Sequence, residues 1–120
     1  MRALQLITVM PEEGVFRPLG GGHLNTIRMF KGKYQGIAVG DDVIMHHTTD
    51  PETKDAVPLT ELLKISSIAI GTLDNLVEAH GHLNHSGKSN DVLKAEVLAF
   101  YPPSEGAEHN PNQLFIAIYF

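Results

Sequence analysis

The pattern of hydrophobic and polar positions predicts a chain built mostly from short β-strands. In several stretches apolar and polar residues alternate with a period of two, which is typical of strands that bury one face. The last stretch is apolar almost throughout, so we expect it to form a central strand that is buried on both faces. The predicted strands cover residues 4–9, 24–29, 42–47, 64–70 and 114–120.

Two other stretches predict amphipathic helices, because apolar residues recur there every three or four positions. The first helix covers residues 73–80, with Thr72 as its N-cap, and the second runs from a cap at Ser89 or Asn90 to about Phe100. This order of strands and helices suggests a small barrel or half-barrel. The residues expected to face the core are Leu73, Leu76 and Val77 in the first helix, and Val92, Leu93, Val97 and Phe100 in the second.

Length and composition indicate one folded domain that covers residues 1–120. Hydrophobic residues make up 42% and charged residues 19% of the chain, which argues against disorder. No apolar run approaches the ~20 residues that cross a bilayer, and the start of the chain is too short and polar for a signal peptide. We therefore expect a cytoplasmic protein without a membrane partner. The absence of cysteine excludes disulfides and thiolate metal sites.

The net charge of −5 is unevenly distributed along the chain. Residues 1–38 hold five basic and two acidic side chains, a balance of +3, whereas residues 39–120 hold four basic and twelve acidic ones, a balance of −8. A protein that coats long duplex DNA needs a broader basic face than this. A small basic patch that binds a nucleoside, a nucleotide or a short RNA remains compatible with the sequence.

Three consecutive glycines lead into the second predicted strand. Glycine lets the backbone approach a ligand closely, which makes Gly21 and Gly22 candidate binding residues. Strand alternation then puts Thr26 and Arg28 on one face, beyond a loop that carries the His23 imidazole. A hydroxyl and a guanidinium side by side suit an anionic or carbonyl-bearing ligand, so we expect Arg28 to matter for binding more than for stability. The alternative is an ordinary glycine-rich turn followed by a solvated arginine.

Two further groups of side chains are candidates for binding chemistry. Lys31 and Lys33, beside an aromatic ring, could bind phosphate, although solvated loop lysines are more common. Three imidazoles at His80, His82 and His85 are the best metal candidates, but their spacing matches no known ligand pattern and no carboxylate stands beside them. We therefore predict no metal site. The glycine motifs that bind dinucleotides or triphosphates are also absent, and we predict no cofactor.

Several short motifs, in their order and spacing, resemble the ASCH domain, and most closely the small bacterial acetylcytidine amidohydrolases. The resemblance runs from about Gly21 to Phe120. It implies an α+β, mostly β protein with a PUA-like β-barrel and two or three short helices. The motifs that carry it are Gly21-x-His23-x-x-Thr26-Ile27-Arg28, Gly40-Asp41, Leu73-Asp74-x-Leu76-x-x-x-His80, Phe100-Tyr101-Pro102 and the hydrophobic last strand.

The resemblance also implies a catalytic set, which this chain matches in part. The amidohydrolases use a lysine, a threonine three residues later and a distant glutamate. Thr26 matches the threonine, His23 stands at the lysine position, and Asn84 falls near the glutamate position. An imidazole could replace the lysine as a base, because it titrates near neutral pH. Asn84 cannot transfer a proton, but its amide could hold a carbonyl oxygen.

Three functional hypotheses follow from these residues. The first is an ASCH-type domain that binds a nucleoside or short RNA; the second is an amidohydrolase acting on an acylated pyrimidine nucleoside such as acetylcytidine. The third is a non-catalytic interaction module. A carboxylate such as Glu78 within reach of Thr26 or His23 would favour the enzyme. The expected cleft has Thr26 and Arg28 on its floor, and His23, Lys31, His82 and Asn84 on its rim.

Overall fold

The computed structural model describes residues 4–9, 24–48, 57–58, 63–84, 87–103, 106 and 108–120; for 4–9, 45–48 and 57–58 it describes the backbone alone. This part of the chain has an α+β fold with helix and strand in comparable amounts, so the expectation of a mostly β protein is met in part. The elements are β1 (Leu4–Val9), β2 (Asn25–Met29), a 3₁₀ turn (Gly32–Gly36), β3 (Asp42–Thr48), β4 (Val57–Pro58), β5 (Leu63–Lys64), β6 (Ser67–Thr72), α1 (Leu73–His80), a second 3₁₀ turn (Gly81–Leu83), α2 (Asn90–Phe100) and β7 (Leu114–Tyr119).

The strands form two sheets. In the first sheet, β3 pairs with β1 in parallel and with β4 and β5 in antiparallel orientation. In the second sheet, β7 lies between β2 and β6 and is antiparallel to both. Residues 115–120 are all buried, which confirms the prediction of a central last strand.

The predicted strand at residues 64–70 is wrong as a single strand, because the chain changes sheets within it. It leaves the first sheet after Lys64 and joins the second sheet at Ser67. Backbone hydrogen bonds hold the crossing: the Ile65 N–H donates to the Asp41 carbonyl at 2.9 Å, and the Ser66 N–H donates to the Tyr119 carbonyl at 2.8 Å. The buried Ile65 side chain anchors the bend.

Each face of β7 contributes to a different hydrophobic core. On one face its side chains meet residues of the first sheet in a cluster that we call the inter-sheet core. On the other face they meet α1 and α2 in the helix core. The inter-sheet core consists of Tyr34, Val43, Ile65, Ile116, Ile118 and Phe120. The helix core consists of Ile27, Leu73, Leu76, Val77, Leu93, Val97, Phe115 and Ala117.

Both α-helices begin where their capping residues predict. The Thr72 hydroxyl accepts a hydrogen bond from the Asn75 N–H at 3.4 Å, and the Ser89 hydroxyl accepts one from the Val92 N–H at 3.5 Å. The predicted inner residues of α1 are buried, as are Leu93 and Val97 of α2.

The other two predicted core residues of α2 are wrong, since Val92 is 47% exposed and Phe100 56% exposed. Val92 is turned about 100° around the helix from its buried neighbour Leu93. At the end of α2 the next residue, Tyr101, packs on the sheet in place of Phe100, with its ring edge-to-face against Phe115.

Within the described residues, no helix combines the length and the apolar character needed to cross a membrane.

The burial of β7 predicts that two isoleucines on the same face of the second sheet contribute very differently to the free energy of unfolding. Ile118 is 0% exposed, whereas Ile70 on β6 is 52% exposed. We expect Ile118→Ala to lower the free energy of unfolding by about 2–5 kcal/mol, because it leaves a cavity in the inter-sheet core. The matched control, Ile70→Ala, should lower it by less than ~1 kcal/mol. Urea titrations of both variants measure the difference, and equal losses would contradict the assigned core.

Candidate functional site

Thr26 and Arg28 share one face of β2, as strand alternation predicts. They pair with Ile118 and Ile116 of β7, so their side chains lie on the side of the inter-sheet core. The Arg28 Nε donates a hydrogen bond to the Thr26 Oγ1 at 3.0 Å. Thr26 is only 1% exposed, while Arg28 is half-buried. The guanidinium is therefore held against the sheet by a buried hydroxyl.

Tyr34 is the second polar neighbour of Arg28. It lies in the 3₁₀ turn after β2, where its ring is buried in the inter-sheet core. Burial raises the pKa of the Tyr34 phenol, and the charge of Arg28, together with a hydrogen bond between the two side chains, offsets part of that rise. The phenol oxygen thus lies beside the guanidinium, and the turn adds to the site defined by β2.

Lys33 adds a second positive charge on this side of the sheet. Its Nζ lies 5.3 Å from the centre of the Tyr34 ring, within range of a cation–π interaction. Burial lowers the pKa of Lys33, and the neighbouring charge of Arg28 lowers it further. We call Thr26, Arg28, Lys33 and Tyr34 the Arg28 cluster. Two cations that act on each other electrostatically favour an anion or a polarised carbonyl oxygen as a ligand.

Lys31, in the same loop, contacts a different aromatic ring. Its Nζ is 5.5 Å from the centre of the ring of Tyr101, and that ring packs on Phe115 in the helix core. Between the two lysines, Gly32 has φ +58°, a left-handed conformation that favours glycine. The connection after β2 is thus an ordered turn, with Gly32 between its two lysines.

Asn84 lies on the opposite face of β2 from Thr26. Its Nδ2 donates to the Asn25 Oδ1 at 3.3 Å, and the Asn25 Nδ2 donates to the His80 carbonyl at 2.9 Å. Because Asn25 and Thr26 are adjacent in a strand, their side chains point to opposite faces. The structure therefore does not bring Asn84 to the Thr26 side, and β2 divides the expected cleft.

The Asn84 side chain belongs to a buried polar network that the sequence did not reveal. The His80 Nδ1 and the Tyr119 hydroxyl form a hydrogen bond of 2.7 Å. We call Asn25, His80, Asn84 and Tyr119 the Asn25 network. Both asparagines are almost completely buried, and their paired amides fix the chain after α1 to β2. The available sequence signal was Asn25 itself, a polar residue that alternation places on the same strand face as Ile27 and Met29.

The remaining predicted site residues are not part of either group. His82 is exposed in the second 3₁₀ turn, and Glu78 is exposed on α1, which packs against the face of β7 opposite Thr26. His23, Gly21 and Gly22 lie outside the described residues, and so does His85 of the imidazole group. The described side chains contain no group of three or more possible metal ligands, and the absence of a metal stays a prediction.

Comparisons with models of protein families, with curated proteins and with solved structures found no match for this chain. A function is therefore inferred from the geometry of the Arg28 cluster and from the motifs that resemble the ASCH domain.

The Asn25 network predicts energetic coupling between two asparagines that are far apart in the sequence. Asn25→Ala and Asn84→Ala should each lower the free energy of unfolding by about 1–3 kcal/mol, because each leaves a buried amide without its partner. The double variant should lose less than the sum, with a coupling energy of about 0.5–3 kcal/mol. Urea titrations of the wild type, the two single variants and the double variant measure these free energies. Asn75→Ala, on the exposed side of α1, is the control and should change stability by less than ~0.5 kcal/mol. Additive losses would contradict the network.

The proximity of Arg28 to Lys33 predicts that Arg28→Gln raises the pKa of Lys33. The rise should be partial, because burial, the larger cause of the lowered pKa, remains. Side-chain NMR titration of wild type and variant measures the change, and Lys31→Gln is a control expected to leave it unaffected. In the wild type, the folded state loses the Lys33 proton at a lower pH than the unfolded chain, in which lysine has its ordinary pKa of 10.5. The Lys33 contribution to stability should therefore increase as the pH rises towards 10.5. An unchanged or lower pKa in Arg28→Gln would contradict the assigned contact.

Proposed function

We propose that this chain is an ASCH-type domain with a PUA-like β-barrel, and that it binds a nucleoside or a short RNA at the Arg28 cluster. Support for the barrel comes from the two sheets, whose facing side chains share the inter-sheet core. The passage of the chain between sheets at Ile65 and Ser66 supports it too, because barrels and orthogonal sheets turn their corners in this way. The pairing of β2 with β7 agrees with the same fold.

The position of Arg28 is the observation that carries the binding proposal. The guanidinium is half-buried, its Nε is fixed by Thr26, and Lys33 raises the positive potential beside it. A planar fork of donors held in this way suits the carbonyl oxygen of a pyrimidine or the oxygens of a phosphate. The patch is small, which agrees with a nucleoside or a short RNA and not with long duplex DNA.

Binding is better supported than amide hydrolysis. A catalytic threonine must reach the substrate carbonyl, yet Thr26 is 1% exposed and its hydroxyl accepts a hydrogen bond from a cation. Glu78, which would favour hydrolysis if it approached Thr26, is exposed on α1 at the other face of the second sheet. The possible oxyanion donor, Asn84, also lies on that other face.

The binding proposal predicts a specific loss of affinity in Arg28→Gln. Titrations with cytidine, acetylcytidine and a short single-stranded RNA should find at least one ligand that this variant binds about 10- to 100-fold more weakly than wild type. The reason is the loss of a charge-assisted hydrogen bond, which contributes about 1.5–3 kcal/mol. Arg28→Lys should recover only part of the affinity, because an ammonium cannot reproduce the fork.

Two controls decide between the functional hypotheses. Lys94→Gln removes one positive charge from α2, where Lys94 pairs with Asp74, and should leave affinity unchanged. Equal weakening by Lys94→Gln and Arg28→Gln would indicate a non-specific charge effect and contradict the site. Release of cytidine from acetylcytidine by the wild type, abolished in Thr26→Val, would instead support the amidohydrolase. Binding of every ligand with unchanged affinity in Arg28→Gln would refute the proposal.

A further inference from the structure

The two lysines of the turn after β2 lie beside aromatic rings that pack in different cores. Lys33 reaches over Tyr34, whose ring belongs to the inter-sheet core, and Lys31 reaches over Tyr101, whose ring packs in the helix core. These two cores are separated by the second sheet itself. The two ammonium groups therefore lie near different cores, in the turn that follows the Met29 end of β2.

The backbone changes direction between the two lysines. Lys31 is extended, with φ −152° and ψ 163°, and Gly32 then takes φ +58° before the 3₁₀ turn begins. A residue with a side chain would be strained at position 32 in that conformation. Glycine adopts it without this strain.

The charge of Lys31 is available to a ligand. Its described partner is the Tyr101 ring, and a cation–π contact attracts an ammonium without neutralising it or using up its hydrogen-bond donors. The turn from residue 30 to residue 36 contains no acidic side chain. The described ion pairs involve other lysines, namely Lys64 with Asp42, Lys88 with Glu96 and Lys94 with Asp74.

From this arrangement, and resting on the proposed function, we propose that the ligand is a single-stranded oligonucleotide that crosses the Met29 end of β2. One phosphate binds Arg28 and Lys33, and a neighbouring phosphate binds Lys31. A nucleoside has no phosphate and a mononucleotide has one, so neither can supply both phosphates. A flexible single strand can turn around this end, whereas a duplex is stiff over such distances. Cationic side chains that follow the phosphate backbone are a common feature of single-strand binding surfaces.

The experiment compares cytidine 5′-monophosphate with a cytidine trinucleotide on four proteins: wild type, Lys31→Gln, Lys33→Gln and Lys94→Gln. Lys31→Gln should weaken trinucleotide binding roughly 3- to 10-fold and reduce the salt dependence of affinity by about one phosphate contact. It should leave the affinity for the monophosphate unchanged. Lys33→Gln should weaken both ligands, and Lys94→Gln neither. Lys31 is exposed, so melting curves should be the same for Lys31→Gln and wild type.

The possible failures separate the two proposals. If Lys33→Gln weakens the trinucleotide but Lys31→Gln does not, the crossing strand is refuted and the Arg28 cluster remains a binding site. If Lys31→Gln weakens the monophosphate as much as the trinucleotide, both lysines serve one phosphate and the crossing strand is again refuted. If wild type binds neither ligand, nor cytidine, acetylcytidine or a longer RNA, the proposed function itself fails, and the inference with it.

Discussion

The burial of β7 on both faces is the constraint on which the rest of the structure depends. A strand with five consecutive buried residues must be covered on both sides, since neither face offers enough polar surface to meet water. The two α-helices cover one face and the first sheet covers the other. Because β2 is the neighbour of β7, its side chains are also divided between two separate interiors. This division decides which polar residues can meet.

The polar side chains of β2 follow from their position between these two cores. A buried polar group needs a hydrogen-bond partner, and β2 meets this requirement differently on its two faces. The Asn25 amide accepts a hydrogen bond from the Asn84 amide and donates one to the His80 carbonyl at the end of α1. Thr26 accepts a hydrogen bond from Arg28, which is half-buried beside the inter-sheet core. One face therefore has a closed network that stabilises the fold, and the other has a cationic group at the surface.

The sequence predicted the features that depend on local periodicity and missed those that depend on distant partners. Alternation placed Thr26 and Arg28 on one face, and the capping residues Thr72 and Ser89 marked the starts of both helices. The break at Ile65 could not be predicted, because it is set by backbone bonds to Asp41 and Tyr119 in different parts of the chain. The burial of Tyr34 was missed for a similar reason: a tyrosine between loop lysines gives no local sign that it enters a core.

The same reasoning explains why Arg28 suits recognition better than catalysis. A guanidinium beside a hydrophobic core must be held by oxygen acceptors, and Thr26 and Tyr34 supply them. Fixing the Nε restricts the rotation of the whole planar group. The arginine side chain therefore loses less conformational entropy when a ligand binds than a mobile side chain would. The buried Thr26 hydroxyl is occupied in orienting the arginine. A residue that resembles a nucleophile in the sequence is, in this fold, the support of a cationic binding group.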